Sequence, residues 1–272
     1  MLLMALTGLG LLTAALGTVP WAGELRQLGD EPQWSPLRAS LASVLPVRPA
    51  GLEGIDQGDL MERLAAADAA WTPRTEQLPD GRTRYHYRRR SHEPPLSLGQ
   101  IRDLIANPPS FERERQAISQ LVDVLGRAGV RIQVREPLRA GAAGEWDPRA
   151  RTLRIKSTAL NQGSAEFAKV LNHEAIHVAQ SCHNGHLRAT PRPLGLNDRV
   201  PPELSSVFGE SVYRQAGQLE LRLEREAYAN QHRLDLGRDL VRRHCRLADT
   251  APAPSEISSG ERGRQQRGWW WE

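Results

Sequence analysis

The chain has 272 residues, 39% hydrophobic and 25% charged, with 36 basic against 32 acidic side chains, and every cation except Lys156 and Lys169 is arginine. That composition supports a sizeable core and excludes collagen-like, coiled-coil and multi-span membrane architectures; two cysteines are too few for a disulfide framework. A formal charge of +4 allows mild attraction to anions but not histone-like binding of nucleic acid.

The first charged side chain is Glu24. Residues 1–22, rich in Leu and Ala, therefore read as an export signal or an uncleaved membrane anchor. The protein is expected in the periplasm, cell envelope or extracellular space, or tethered to a membrane through this segment. Residues 23–107 form an irregular region with Pro-containing spacers, a short amphipathic stretch at 59–71 and a strand-like run at 83–90 after the Asp80-Gly81 turn. Arg82, Arg84, Arg88, Arg89 and Arg90 alternate with Tyr85 and Tyr87 in this run. With so small a net charge they read as a solvated strand face, and no nucleic-acid partner is expected.

Regular patterning begins after Pro108-Pro109. Ile118, Leu121, Val122 and Leu125 fall at helical spacing in a helix at 110–127 that Gly129 ends. A strand at 130–135, a Gly-rich turn around Gly141 and Gly144, and a second strand at 152–156 follow. The next helix starts at Ser164 as its cap and runs to about Ser181. A further helical stretch covers 218–236. The expected class is α+β, a small twisted sheet or hairpin packed on the 164–181 helix and a following C-terminal helix, with 108–247 as its domain. Residues 248–272, polar until Trp269, Trp270 and Trp271, read as a disordered tail.

The 164–181 helix carries His173-Glu174-Ala175-Ile176-His177. Histidines four apart stand on one helical face, one turn above the other, so both can donate nitrogen to one Zn²⁺. Glu174, about 100° round the helix, lies beside such a metal without ligating it. There it can take a proton from a zinc-bound water and pass it on. A zinc held by two histidines needs a third protein ligand, and the 218–236 stretch offers Glu220, Glu224 and Glu226. Helical phase puts Glu226 on the side of Leu219, Leu223 and Leu234, and Glu220 and Glu224 with Gln231 and Asp235. A buried carboxylate requires a metal or a strong hydrogen-bond partner. The metal ligands expected are His173, His177 and Glu226; an ion pair of Glu226 with Arg222 is the bland alternative.

With these residues the chain resembles the zincin metallopeptidases, specifically the gluzincin branch, whose third ligand is a glutamate on a helix following the His-Glu-x-x-His helix. The resemblance covers about residues 110–244. It implies zinc-dependent hydrolysis of a peptide or protein substrate, with Glu174 as general base and then acid. It also implies an extended substrate added beside an edge strand at 152–156 and a donor for the oxyanion, for which Tyr213, Tyr228 and His232 are the candidates. Tyr228 and His232 lie away from Glu226 on their helix, which counts against both. The competing function is a catalytically inactive, zinc-bearing binding or structural module at the cell envelope. His183, six residues after His177, would complete a metzincin pattern, but Gln180 stands where that pattern needs glycine and no methionine follows the helix. His183 and His186 are read as loop residues, and the proline-rich stretch 183–202 as one rim of the cleft.

Cys182 and Cys245 could pair in an oxidising compartment. An unbroken helix would carry Cys245 about 28 Å beyond Glu226, so pairing requires a break, for which Gly237 is the available place.

Overall fold

The computed structural model describes residues 47–89, 94–202, 208–209 and 216–249. The apolar segment 1–22, Arg90, Tyr213 and the tryptophan-ended tail after Asp249 lie outside the described residues. In chain order the elements are strand β1 (Gly51–Glu53), helix α1 (Gln57–Trp71), strands β2 (Arg74–Gln77) and β3 (Thr83–His86), helices α2 (Leu98–Ala106) and α3 (Glu112–Arg127), strands β4 (Arg131–Val134), β5 (Gly144–Asp147) and β6 (Thr152–Ile155), and helices α4 (Ser157–Asn161), α5 (Ser164–His183), α6 (Gln218–Asn230) and α7 (Leu236–His244). The class is α+β.

The principal sheet has the order β1-β4-β6-β5. β4 pairs in parallel with both β1 and β6, and β5 returns antiparallel along β6. Period-two alternation sends Ile132, Leu153 and Ile155 into the core, all fully buried. Across the pair, Arg154 on the other face meets Glu145 at 3.2 Å and Asp147 at 3.5 Å. The edge strand on this side is β5; the expected edge at 152–156 is an interior strand, because a four-residue run 144–147 with only one large apolar residue, Trp146, carries too little pattern to be seen in sequence. Trp146 donates its indole N–H to Ser181 Oγ at 2.9 Å and so ties β5 to α5.

Residues 51–71, irregular by pattern, join the same sheet and core as 108–247. β1 adds to β4, and Leu60 and Leu64 of α1 are fully buried within the main cluster. Further along, β2 and β3 form a separate hairpin. Its arginines have local partners: Arg82 pairs with Asp80, Arg84 with Glu76, and Arg88 stacks on Trp71.

Helix α5 is the central element, packed on the sheet and on α3, α6 and α7. Phe167, Leu171, Ala175, Ile176, Val178 and Ala179 fill the core from it. Its start differs from the expected serine cap. Gly163 is the cap residue with φ +95°, and Ser164 is the first helical residue. The capping acceptor comes from another helix: Asp68 of α1 accepts from Ser164 N–H at 2.7 Å and from Ser164 Oγ at 2.6 Å, and holds Arg115 at 2.7 Å. A side chain on Gly163 would meet Asp68 Oδ1 at 2.5 Å. The carboxylate thus answers the orphan amides and positive end of α5 across 96 residues of sequence.

The 218–236 stretch is not one helix. It breaks after Asn230, where Asn172 of α5 takes over the freed backbone groups. Its Nδ2 donates to Gln231 O (2.8 Å) and Arg233 O (3.1 Å), and its Oδ1 accepts from Gly237 N–H (2.7 Å). Gly237 lies inside α7, not at the break; a Cβ there would come 2.5 Å from Asn172 Oδ1 and 2.9 Å from Ala175 Cβ. That close approach lets α7 run alongside α5 and brings Cys245 to Cys182, which form a disulfide with Cα atoms 5.0 Å apart. The bridge closes a sequence separation of 63 residues, and its loss should lower the unfolding free energy by roughly 4 kcal/mol on the chain-entropy account. Denaturant titration of Cys182→Ser/Cys245→Ser against the oxidised wild type checks this value. Among the described residues no helix is long and apolar enough to cross a membrane.

Candidate metal centre

The face of α5 opposite its core stripe meets α6. There His173 Nε2 and His177 Nε2 approach to 3.2 Å, and Glu224 Oε2 lies 3.3 Å from the first and 3.6 Å from the second. These three donors lie within 4.8 Å of one another. Two imidazole nitrogens and one carboxylate oxygen, nearly removed from water, are a donor set that could hold a metal ion.

Glu226 is not part of this group, which corrects the expectation for the third ligand. Its carboxylate is 1% exposed and fully engaged elsewhere. Oε1 accepts from Gly195 N–H at 2.8 Å and Leu196 N–H at 3.2 Å, and Oε2 from Leu194 N–H at 2.9 Å and Gln180 Nε2 at 3.0 Å. The requirement that a buried carboxylate find strong partners is met by backbone amides of the 192–197 loop. Leu219, used to mark the buried side, is half exposed, and Leu234 lies beyond the break. Glu224, two residues earlier, therefore faces α5.

Both histidines are oriented through Nδ1. His177 Nδ1 is 2.7 Å from Gln180 Oε1, and His173 Nδ1 is 3.2 Å from Gln231 Oε1. An amide oxygen only accepts, so each Nδ1 carries a proton, and an Nε2 that gives up its own proton turns its lone pair to the converging point. Sequence reading missed this role of both glutamines. The i, i+3 spacing of His177 and Gln180 on one helix was the available signal.

Electrostatics tie the three donors together. Burial pushes the His177 imidazolium down, but the Glu224 carboxylate outweighs it and lifts the group to about 9. Burial raises Glu224, and His177 and His173 reverse this, holding it well below its ordinary value. Glu174, 5% exposed, is raised by burial, with His173 and His177 offsetting part of the rise. A carboxyl that holds its proton more tightly than usual is suited to proton transfer near neutral pH.

Glu174 needs space that only Gly144 leaves. A Cβ at Gly144 would stand 2.6 Å from Glu174 Oε1 and 2.8 Å from Val170 Cγ1, so the carboxyl rests against the backbone of the edge strand. The three atoms nearest to that Cβ belong to Glu174 and Val170. Gly144→Ala should cost about 1–3 kcal/mol by overpacking, seen in denaturant unfolding.

Other expected residues fall as follows. Tyr228, one turn after Glu224, packs edge-on to His173 with ring centroids 4.6 Å apart. Its direction away from Glu226 is what brings it to the site. Arg139, which was not among the expected residues, lies on the β4–β5 connection, pairs with Glu220 at 2.9 Å and comes 3.9 Å from Glu224. His183 packs instead on His244, with centroids 5.1 Å apart, outside the donor group. No family model, curated protein or solved structure matches this chain.

Proposed function

We propose that this chain is a zinc-dependent peptidase of the gluzincin type, with His173, His177 and Glu224 as the metal ligands. The observation that carries the reading is the convergence of two Nε2 atoms and Glu224 Oε2 beside a buried carboxyl, Glu174, that lies outside the donor group. Zinc in such a site acts as a Lewis acid and brings the pKa of a bound water towards 7. The chain's own residues do the rest. Gln180 and Gln231 keep the Nδ1 protons in place, and Glu174 takes a proton at its carboxylate and hands it to the leaving amine. β5, the edge strand against which Glu174 rests, offers backbone groups to an extended peptide. Tyr228, whose ring meets His173, and Arg139, 3.9 Å from Glu224, border the site and are the side chains we assign to the oxyanion.

The disulfide supports export to an oxidising compartment, in keeping with an apolar start that acts as signal or anchor. The test is cleavage of a quenched-fluorescent peptide library by the purified, zinc-loaded protein. Cleavage that stops on chelation and returns with zinc is the expected result. Stoichiometric zinc with no cleavage of any sequence would leave the binding-module reading in its place.

A further inference from the structure

Gln180 is fully buried and stands between two groups with fixed hydrogen-bonding demands. On one side its Nε2 donates to Glu226 Oε2 at 3.0 Å and to Leu223 O at 3.2 Å. A carboxylate and a carbonyl only accept, so the amide nitrogen must point that way. Its oxygen is then compelled to face His177 Nδ1, 2.7 Å off. That oxygen in turn requires a proton on Nδ1 and leaves the Nε2 lone pair for a metal.

From this order we infer that Glu226 and Gln180 form a positioning relay: the charge on Glu226 fixes the amide orientation of Gln180, which fixes the tautomer and ring direction of His177. Because the same carboxylate gathers the amides of Leu194, Gly195 and Leu196, the relay also joins the proline-rich loop to the metal centre. A properly docked loop and a metal-ready His177 are one state of the protein. The inference rests on the reading of His173, His177 and Glu224 as a metal site, but not on peptide hydrolysis.

The experiment measures zinc affinity by competition with a chromophoric chelator, together with the visible spectrum of the Co²⁺-loaded protein. Gln180→Leu should weaken zinc binding by about 10- to 100-fold, the usual cost of losing a partner behind a ligand. Glu226→Gln, which leaves only the Leu223 carbonyl to hold the amide nitrogen of Gln180, should weaken it by about tenfold and broaden the Co²⁺ spectrum. The exchange Gln180→Glu/Glu226→Gln restores one carboxylate and one amide in reversed order and again offers His177 Nδ1 an acceptor. Its affinity should rise above that of Glu226→Gln but stay below wild type, because a carboxylate at position 180 leaves the Leu223 carbonyl without its donor. A merely structural role predicts no such recovery.

Should Gln180→Leu fail to fold, the other two variants decide the matter. Glu226→Gln with unchanged affinity, or an exchanged pair no better than Glu226→Gln alone, would overturn the relay. If the variants behave as expected and no peptide is cut, the relay stands and the peptidase reading fails.

Discussion

Glu174→Gln should lower peptide cleavage by roughly 10³-fold while zinc stays bound at one equivalent, because a positioned acid–base group contributes about 10²–10⁴ to rate and this one is not among the three converging donors. The amide keeps the shape of the side chain in its niche against Gly144 but cannot carry a proton. A second consequence sets this variant apart from a general lesion. In the metal-free protein the folded state holds the Glu174 proton more tightly than the unfolded chain does. The carboxyl therefore favours folding at low pH, and that contribution is lost as pH rises through its raised folded value. At neutral pH the neutral glutamine removes the cost of burying charge, so the apo variant should melt above the apo wild type. Stopped cleavage with a raised Tm and full zinc, measured by fluorogenic assay, calorimetry and metal analysis, is the expected set. Cleavage at the wild-type rate would remove Glu174 from the mechanism.

The other large effect belongs to Glu224. Sharing the roughly 10–16 kcal/mol of a structural zinc site among its ligands gives about 3 kcal/mol or more for each, a hundredfold or greater loss of affinity. Glu224→Ala should therefore emerge from dialysis without zinc, whereas Glu226→Gln, weakened only about tenfold, should keep it. Proton release gives an independent reading. With the wild-type carboxylate in place His177 is held protonated up to about 9, so zinc uptake at pH 7 must expel a proton and apparent affinity must climb with pH until about 9. Removing Glu224 removes the charge that lifts His177, and less proton should be released. Calorimetry in buffers of different ionisation enthalpy measures it. Full zinc retention by Glu224→Ala would contradict the ligand assignment.

The histidine pair and Glu174 were legible in the sequence because their geometry is local: five consecutive residues on one helix, with core residues at helical spacing around them. The third donor was not. Choosing among Glu220, Glu224 and Glu226 required a direction for the buried face, and Leu234 supplied a false one, since the helix ends at Asn230. What ends it is the side chain of Asn172, 58 residues earlier, which no local pattern announces. The burial of Glu226 was legible, and so was its need for strong partners. That those partners are loop amides some thirty residues away was not. Gly144 was visible as part of a glycine-rich stretch, but its purpose is set by a carboxyl on another element. β1 and β5, three and four residues long, are too short for periodicity to register and exist because of strands they pair with.

The cap that Asp68 places on α5 also bears on maturation. Here the stretch 57–71 supplies both the acceptor for the first turn of the histidine-bearing helix and two fully buried leucines, so cutting it away would dismantle the core that carries the three converging donors. Any proteolytic trimming that leaves the candidate metal centre intact must spare this helix, which makes α1 a permanent constituent of the folded body.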